Sequence, residues 1–419
     1  MNMAEVKPFR AILYNKKKFR DFSKLVCPPY DIISESQQKR YYKLSRYNMI
    51  RIILGKGYPS DTKERNRYTR SAGYLNEWLN KKILLKDNAE GIYFYEQQYV
   101  YQGRKVGRRG FIALLKLQPE IIHPHEYTHL KPKEDRFQLL KEVKANLSPI
   151  FVLFSDSGKY IAKISSICDR KKPIFSIRDN SGIKNRLWRI DDEGSLEKLS
   201  CYMQGKDIFI ADGHHRFEVA CAYRDMLKYN SADFREGAPY NYIMAYFTDM
   251  DSRDLTIMPT HRLIKDMDAS CGVSLLEKLG GYFQVENTPG IKELLKTMAR
   301  SCGSHGVFGL YFKNNFYLLR LKNPRPKDEL ESLDVSLFNR HILKDILGLS
   351  VEDKNIIYSA DSAEAVKLVD AQRAKAAFFL NPTRISQLKA AVLKKQRMPP
   401  KSTYFYPKLL SGLLIHKFE

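Results

Sequence analysis

The chain has 419 residues, 43% apolar and 28% charged, the composition of a globular protein large enough for two or three cores. It holds no low-complexity tract and no run of about 18 or more apolar residues, which excludes a helix spanning a bilayer. The 71 Lys and Arg against 47 Asp and Glu leave +24, a charge that attracts nucleic acid, anionic membrane or phosphorylated metabolites.

These cations are spread along the whole chain, in short clusters such as Lys16-Lys17-Lys18. Nucleic acid is therefore a possible partner but not the favoured one, and no membrane partner is expected. Six cysteines (27, 168, 201, 221, 271 and 302) form no Cys-x-x-Cys pair, which disfavours a zinc ribbon or a disulfide framework. The start, Met-Asn-Met-Ala-Glu-Val-Lys-Pro, lacks the apolar stretch of a signal peptide, so a cytoplasmic location is expected.

Residues 1–60 read as a strand Phe9–Tyr14, a Pro28-Pro29 turn, a helix from Ser34 and an apolar run Met49–Leu54. Ser34 three residues before Gln37 is a capping box. Tyr68, Ala72, Leu75 and Leu79 predict a helix over 60–80. Strands 91–101 and 109–117 flank a Gly103–Gly107 turn in a hairpin. A helix over 133–144, strands over 149–154 and 186–190, and a helix over 196–203 follow. Then Ile208-Phe209-Ile210 runs as a strand into Ala211-Asp212-Gly213-His214-His215-Arg216 and a helix. A buried strand is predicted at 242–247, and 256–264 contains Pro259-Thr260-His261-Arg262.

From Ser270 helices (274–279, 291–300, 335–347, 362–367) alternate with strands (307–312, 316–321, 376–379), and Asn314-Asn315 is a hairpin turn. The class is α+β. Three domains are expected, over 1–120, 121–268 and 269–419, the last of α/β type.

The densest chemistry lies at Asp212–Arg216. A helix N-terminus offers unpaired N–H groups and a positive dipole end, so Gly213 and the amides after it would hold a phosphate. Arg216 would neutralise it, and His214 or His215 would donate to it or move a proton. Asp212 sits awkwardly beside a phosphate. A Mg²⁺ ion held by Asp212, or a helix-capping role for it, would relieve that tension.

Elsewhere, His123, His125, Glu126 and His129 would begin a metal site, or Glu126 would act as general base with His125 beside it. The plain alternative is a proline-bent polar loop. Arg136, following Asp135, is either a second anion clamp or a surface residue. His261-Arg262 repeats the pairing of an imidazole with a guanidinium, and Lys401-Ser402-Thr403 offers a charge and two hydroxyls to phosphate. Without a Gly-rich lead-in the latter is no Walker A loop, and a docked terminal strand explains it equally well. Asp31, after Pro28-Pro29-Tyr30, is either a rigidly held carboxylate or an Asx-turn.

Six ordered segments carry a resemblance: Pro8-Phe9-Arg10-Ala11, Pro28–Ser34, Pro124-His125-Glu126-x-Thr128, Asp212–Arg216, Pro259-Thr260-His261-Arg262 and Lys401–Lys408. The chain resembles a full-length member of the domain of unknown function 1015 family of bacteria and archaea. The strand followed by Asp212-Gly213-His214-His215-Arg216 is also similar to the phosphate-binding box of the ParB/sulfiredoxin superfamily. That likeness implies a ParB/sulfiredoxin-like core in which Gly213, His214, His215 and Arg216 hold nucleotide phosphates. No helix-turn-helix follows the box, as ParB would need, and no Cys lies in it, as sulfiredoxin uses. The free-serine-kinase branch fits best.

The resemblance thus implies a nucleotide-dependent phosphotransferase for a small hydroxyl compound, an amino acid among the options. It would use Mg²⁺ with ATP or ADP, and Glu126 or Asp31 as the base. Two other readings stand beside it: a metal-dependent hydrolase using His123, His125 and Glu126, and a non-catalytic nucleotide- or nucleic-acid-binding protein.

Overall fold

A computed structural model describes residues 4–126, 130–230, 234–301, 306–324, 326–394 and 396–418. Its packing separates two compact units: Met1–Pro124, Thr128–Leu255 and Pro407–Glu419 form the first, His125–Tyr127 and Thr256–Tyr406 the second.

A nine-stranded mixed sheet organises the first unit. Eight strands run in the order Ile122–Pro124, Ile208–Asp212, Ile150–Phe154, Tyr242–Asp249, Arg104–Lys116, Ile92–Tyr101, Lys184–Ile190 and Phe175–Arg178, and Val6–Lys7 pairs with Arg104–Lys116. The central strand Tyr242–Asp249 is buried along almost its whole length because both faces of the sheet are covered. One face packs Phe94, Phe111, Phe154, Trp188, Phe217 and Phe247 into the main core, with Phe111 and Phe247 stacked at 4.8 Å.

Local sequence explains most of this unit's elements. Ser34 and Gln37 cap the helix Glu35–Leu44 reciprocally, as expected. The helix expected over 60–80 starts only at Arg67, because Asn66 and Thr69 form a capping box there. The hairpin turn is tighter than predicted: Gln102 and Gly103, at φ 49° and 78°, join Ile92–Tyr101 directly to Arg104–Lys116. A helix Tyr160–Cys168 and a strand Phe175–Arg178 were not foreseen. Cys27, Cys168, Cys201 and Cys221 are free thiols.

The second unit is built on a six-stranded sheet in the order Phe283–Thr288, Asn315–Leu321, Val307–Phe312, Ala376–Phe379, His261–Ile264 and Ile356–Ser359. Every pairing in it is antiparallel. This corrects the α/β expectation for the C-terminal part. A tight turn with Lys313 and Asn314 at φ 47° and 62° joins two neighbouring strands, where a parallel pair would need a long crossover. Adjacent residues enter opposite cores, Ile264 and Phe378 on one face, Leu263 and Phe379 on the other. The helix predicted over 335–347 begins at Asp334 and widens its turns over Phe338–Ile346. Among the described residues no helix is long and apolar enough to cross a membrane.

Candidate functional site

The strand Ile208–Asp212 ends at Gly213, whose φ of +93° suits glycine, and the helix His214–Asn230 follows at once. The Gly213 carbonyl accepts the helix's first bond, from Phe217 N at 3.0 Å. Arg216 folds back over this turn. A Cβ on Gly213 would lie 3.0 Å from Arg216 Cζ and Nη2 and 3.0 Å from Ile150 Cγ2. The missing side chain therefore makes room for the guanidinium.

Arg216 Nη2 donates to Asp212 Oδ2 at 2.9 Å, and Nη1 donates to the Pro149 carbonyl. Lys408 Nζ donates to Asp212 Oδ1 at 2.6 Å. Burial penalises the Asp212 charge, but Lys408 and Arg216, helped by His214, hold its carboxyl well below the usual carboxylate range. Asp212 thus meets its local charge problem with two cations. Both its oxygens are committed to them, so the donor set does not fit a magnesium ion held by Asp212. Two cations against one carboxylate leave a surplus positive charge beside the helix start. His214 is buried and His215 is half-buried.

A cavity in the same unit is lined by Arg216, Arg136, Tyr30 and mostly apolar side chains. Arg136 is buried here, which sets aside its reading as a surface residue. Arg136 Cζ sits 4.0 Å from the centre of the Tyr30 ring. Its Nε donates to Asp135 Oδ2 at 2.8 Å, Nη2 donates to the same oxygen, and Nη1 donates to the Ile53 carbonyl at 2.6 Å. Asp135 Oδ1 accepts from Arg67 at 2.5 Å and from Tyr68 at 2.7 Å. Arg67, Asp135 and Arg136 repeat the cation–carboxylate–cation pattern of the first cluster. Burial pushes the Tyr30 phenol up, and Asp31, Arg136, Arg216 and Asp212 all act on it electrostatically. Asp31 itself is exposed.

The remaining candidates among the described residues lie in the second unit, apart from His123. His125 Nε2 is 2.9 Å from Thr403 Oγ1. Glu126 Oε1 accepts from Thr403 N at 2.9 Å and from Thr403 Oγ1 at 2.8 Å. His125 is buried, and its carbonyl accepts from Met398 N at 2.7 Å. These three residues form one hydrogen-bonded cluster.

His261 and Arg262 are spent internally. His261 Nδ1 accepts from Leu380 N at 3.3 Å, and burial followed by the Arg262 charge lowers its pKa to about 4. Arg262 donates through Nη1 to the Thr260 carbonyl and through Nη2 to the Lys401 carbonyl at 3.0 Å, and burial lowers its pKa to about 10. Ser402 Oγ donates to the Pro399 carbonyl at 2.6 Å, while the Lys401 side chain is exposed.

His123 belongs to the first unit and reaches Asp207 at 3.5 Å, and His125 belongs to the second. His129 lies outside the described residues. Among the described residues no three His, Cys, Asp or Glu side chains converge as a metal site.

Lys408 and Tyr30 were missed as site residues. Both stand inside motifs quoted for the resemblance, Lys401–Lys408 and Pro28–Ser34. Nothing in sequence spacing, however, links Lys408 to a carboxylate 196 positions earlier.

Fold and site together define a two-unit α+β protein with an electropositive turn at a helix start. The family model described as "Protein of unknown function (DUF1015)" matches residues 6–336, and the chain belongs to that family. No curated protein matches the sequence. Among solved structures, a free serine kinase in complex with AMP is 17% identical with a TM-score of 0.38, covering 70% of this chain and 86% of that one. A conserved hypothetical protein from Pyrococcus furiosus is 12% identical with a TM-score of 0.36, covering 71% and 92%. C-terminally truncated SbnI from Staphylococcus aureus is 9% identical with a TM-score of 0.37, covering 72% and 86%.

Proposed function

We propose that the protein is a nucleotide-dependent phosphotransferase acting on a small hydroxyl compound, with the phosphates received at the Asp212–Arg216 turn. The observation that carries this reading is the cluster of Asp212, Arg216 and Lys408. It has a surplus positive charge, little solvent to screen it, and a helix start of 17 residues beside it. Arg216 and Lys408 would exchange part of their hold on Asp212 for phosphate oxygens, and the amides after Gly213 would add neutral donors. The succession of strand, Gly213 turn and long helix supports this reading, since it suits a phosphate-binding box of the ParB/sulfiredoxin kind.

In the transfer, the acceptor's hydroxyl oxygen forms a bond to the terminal phosphorus of ATP or ADP. The bond from that phosphorus to the nucleotide's bridging oxygen breaks, and the hydroxyl proton passes to a carboxylate. Positioning and charge neutralisation supply most of what such a reaction needs. Asp31, an exposed carboxylate next to the cavity-lining Tyr30, is one candidate for that base. Glu126, the other carboxylate considered, belongs to the second unit, and its Oε1 is held by Thr403. Magnesium would enter as the nucleotide's own counter-ion, with no carboxylate of this chain assigned to it.

Titration calorimetry with ATP, ADP, CTP and tripolyphosphate tests the reading. Binding that falls at least tenfold in Arg216→Ala supports it, and absence of binding by all four overturns it.

A further inference from the structure

Pro407 and Lys408 belong to no strand or helix, yet the Lys408 side chain is only 10% exposed and its ammonium stands 2.6 Å from Asp212. Its backbone is held from the neighbouring sheet. Asn185, Gln97 and Arg108 lie directly opposite one another on three adjacent strands, so their side chains share one face. All three are buried. Gln97 Nε2 donates to the Lys408 carbonyl at 3.2 Å and to Asn185 Oδ1 at 3.0 Å. Arg108 Nη2 donates to Gln97 Oε1 and to the Pro407 carbonyl. The two peptide groups that flank the Lys408 α-carbon are thus each gripped by one side chain of this row.

The adjacent row, on the opposite face of the same strands, follows a different logic. Glu96 lies opposite both Arg186 and Arg109 and accepts from them at 2.7 and 2.9 Å. Arg108 meets no carboxylate among the described residues, and its Nε and Nη1 have no hydrogen-bond partner. Its charge faces two rings instead, Phe151 at 4.6 Å and Tyr246 at 5.7 Å. A buried cation without a carboxylate is a costly way to fill a sheet. What the guanidinium supplies is a rigid fork that takes the Gln97 and Pro407 oxygens together. Phe151, on which it stacks, lies opposite Asp212 in the sheet, so the fork works one strand away from the carboxylate that Lys408 meets.

We propose that Arg108 is a positioning residue of the phosphate site. With Gln97 it clamps the peptides on either side of Lys408 and so fixes the ammonium that a phosphate bound at the Asp212–Arg216 turn would share. Its bearing on phosphate rests on the function proposed above; the clamp itself does not. Arg108 is buried and touches no ligand. Without it, the bond between Lys408 and Asp212 would have to order an otherwise free backbone, and that entropy would weaken the bond.

A double-mutant cycle of Arg108→Met and Lys408→Met in the full chain tests this, read by calorimetric titration of tripolyphosphate and by the urea midpoint. Arg108→Met should weaken tripolyphosphate at least fivefold. The double variant should bind within twofold of Lys408→Met alone, because the ammonium is already displaced. Arg109→Met, in the carboxylate-held row, should keep affinity within twofold even where it lowers stability. A loss smaller than fivefold in Arg108→Met, losses that multiply in the double variant, or an equal loss in Arg109→Met each overturns the proposal. Should Arg108→Met not fold, the same cycle with Gln97→Met, which opens the other side of the clamp, decides by the same criteria. If the unaltered protein ignores tripolyphosphate, the phosphotransferase reading falls by itself and the urea arm still judges the clamp. There the double variant's midpoint shift should fall short of the sum of the single shifts, and additive shifts overturn the clamp.

Discussion

Gly213→Ala probes the phosphate turn at its tightest point. An L-residue at φ +93° is strained by about 1–2 kcal/mol. The new methyl would also stand 3.0 Å from Arg216 Cζ and Nη2, so the guanidinium must move. That pair is mostly buried, with 15% and 18% of its side chains exposed. Loss of its charge-assisted bond adds about 1.5–3 kcal/mol. The variant should therefore lose about 2.5–5 kcal/mol in urea unfolding, and most of its tripolyphosphate affinity. Gly182→Ala is the control, because Gly182 has φ +79° with nothing within 4 Å of a Cβ and carries the backbone strain alone. If Gly213→Ala proves no less stable than Gly182→Ala and still binds tripolyphosphate, Arg216 is not locked over the glycine and the account of the turn is wrong.

Lys408→Met should weaken tripolyphosphate at least tenfold. It should also raise the pH of acid unfolding: the lowered carboxyl of Asp212 stabilises the fold above its ordinary value, and this is lost as pH falls through the folded one. An unchanged acid midpoint by circular dichroism would remove Lys408 from the cluster. Burial lowers both His261 and His416 to about 4, so protons bind the unfolded chain first and stability should decline from about pH 6.5 to 4. His261→Asn should flatten roughly half of that slope, and an identical slope in urea titrations would contradict it. Glu126→Ala should cost about 2 kcal/mol by stranding Thr403, while Glu126→Gln, which keeps a carbonyl acceptor, should cost less than about 1 kcal/mol. Thermal melts of the two variants compare these costs.

Features set by near neighbours in the chain were legible before any coordinates. The Ser34–Gln37 cap, the strand and helix around Asp212–Arg216 and the apolar strand Tyr242–Asp249 all follow from residues a few positions apart. Errors fell where one side chain overrode a longer pattern. Asn66 stopped a helix that periodicity would have extended, and Gln102 took a positive φ that shortened the hairpin turn.

Charge is where local reading ran out. From the sequence, Asp212 beside a phosphate called for a metal ion or a capping role; folding brings Lys408 to it from the far end of the chain. Likewise Arg136 read as a surface residue or a clamp until the ring of Tyr30 and the cavity wall were seen around it. Motif residues, helix starts and strand faces depend on short-range geometry that the order of residues encodes directly. Which cation answers which carboxylate, and which aliphatic side chains close a cavity, depends on distances that exist only once remote segments pack together.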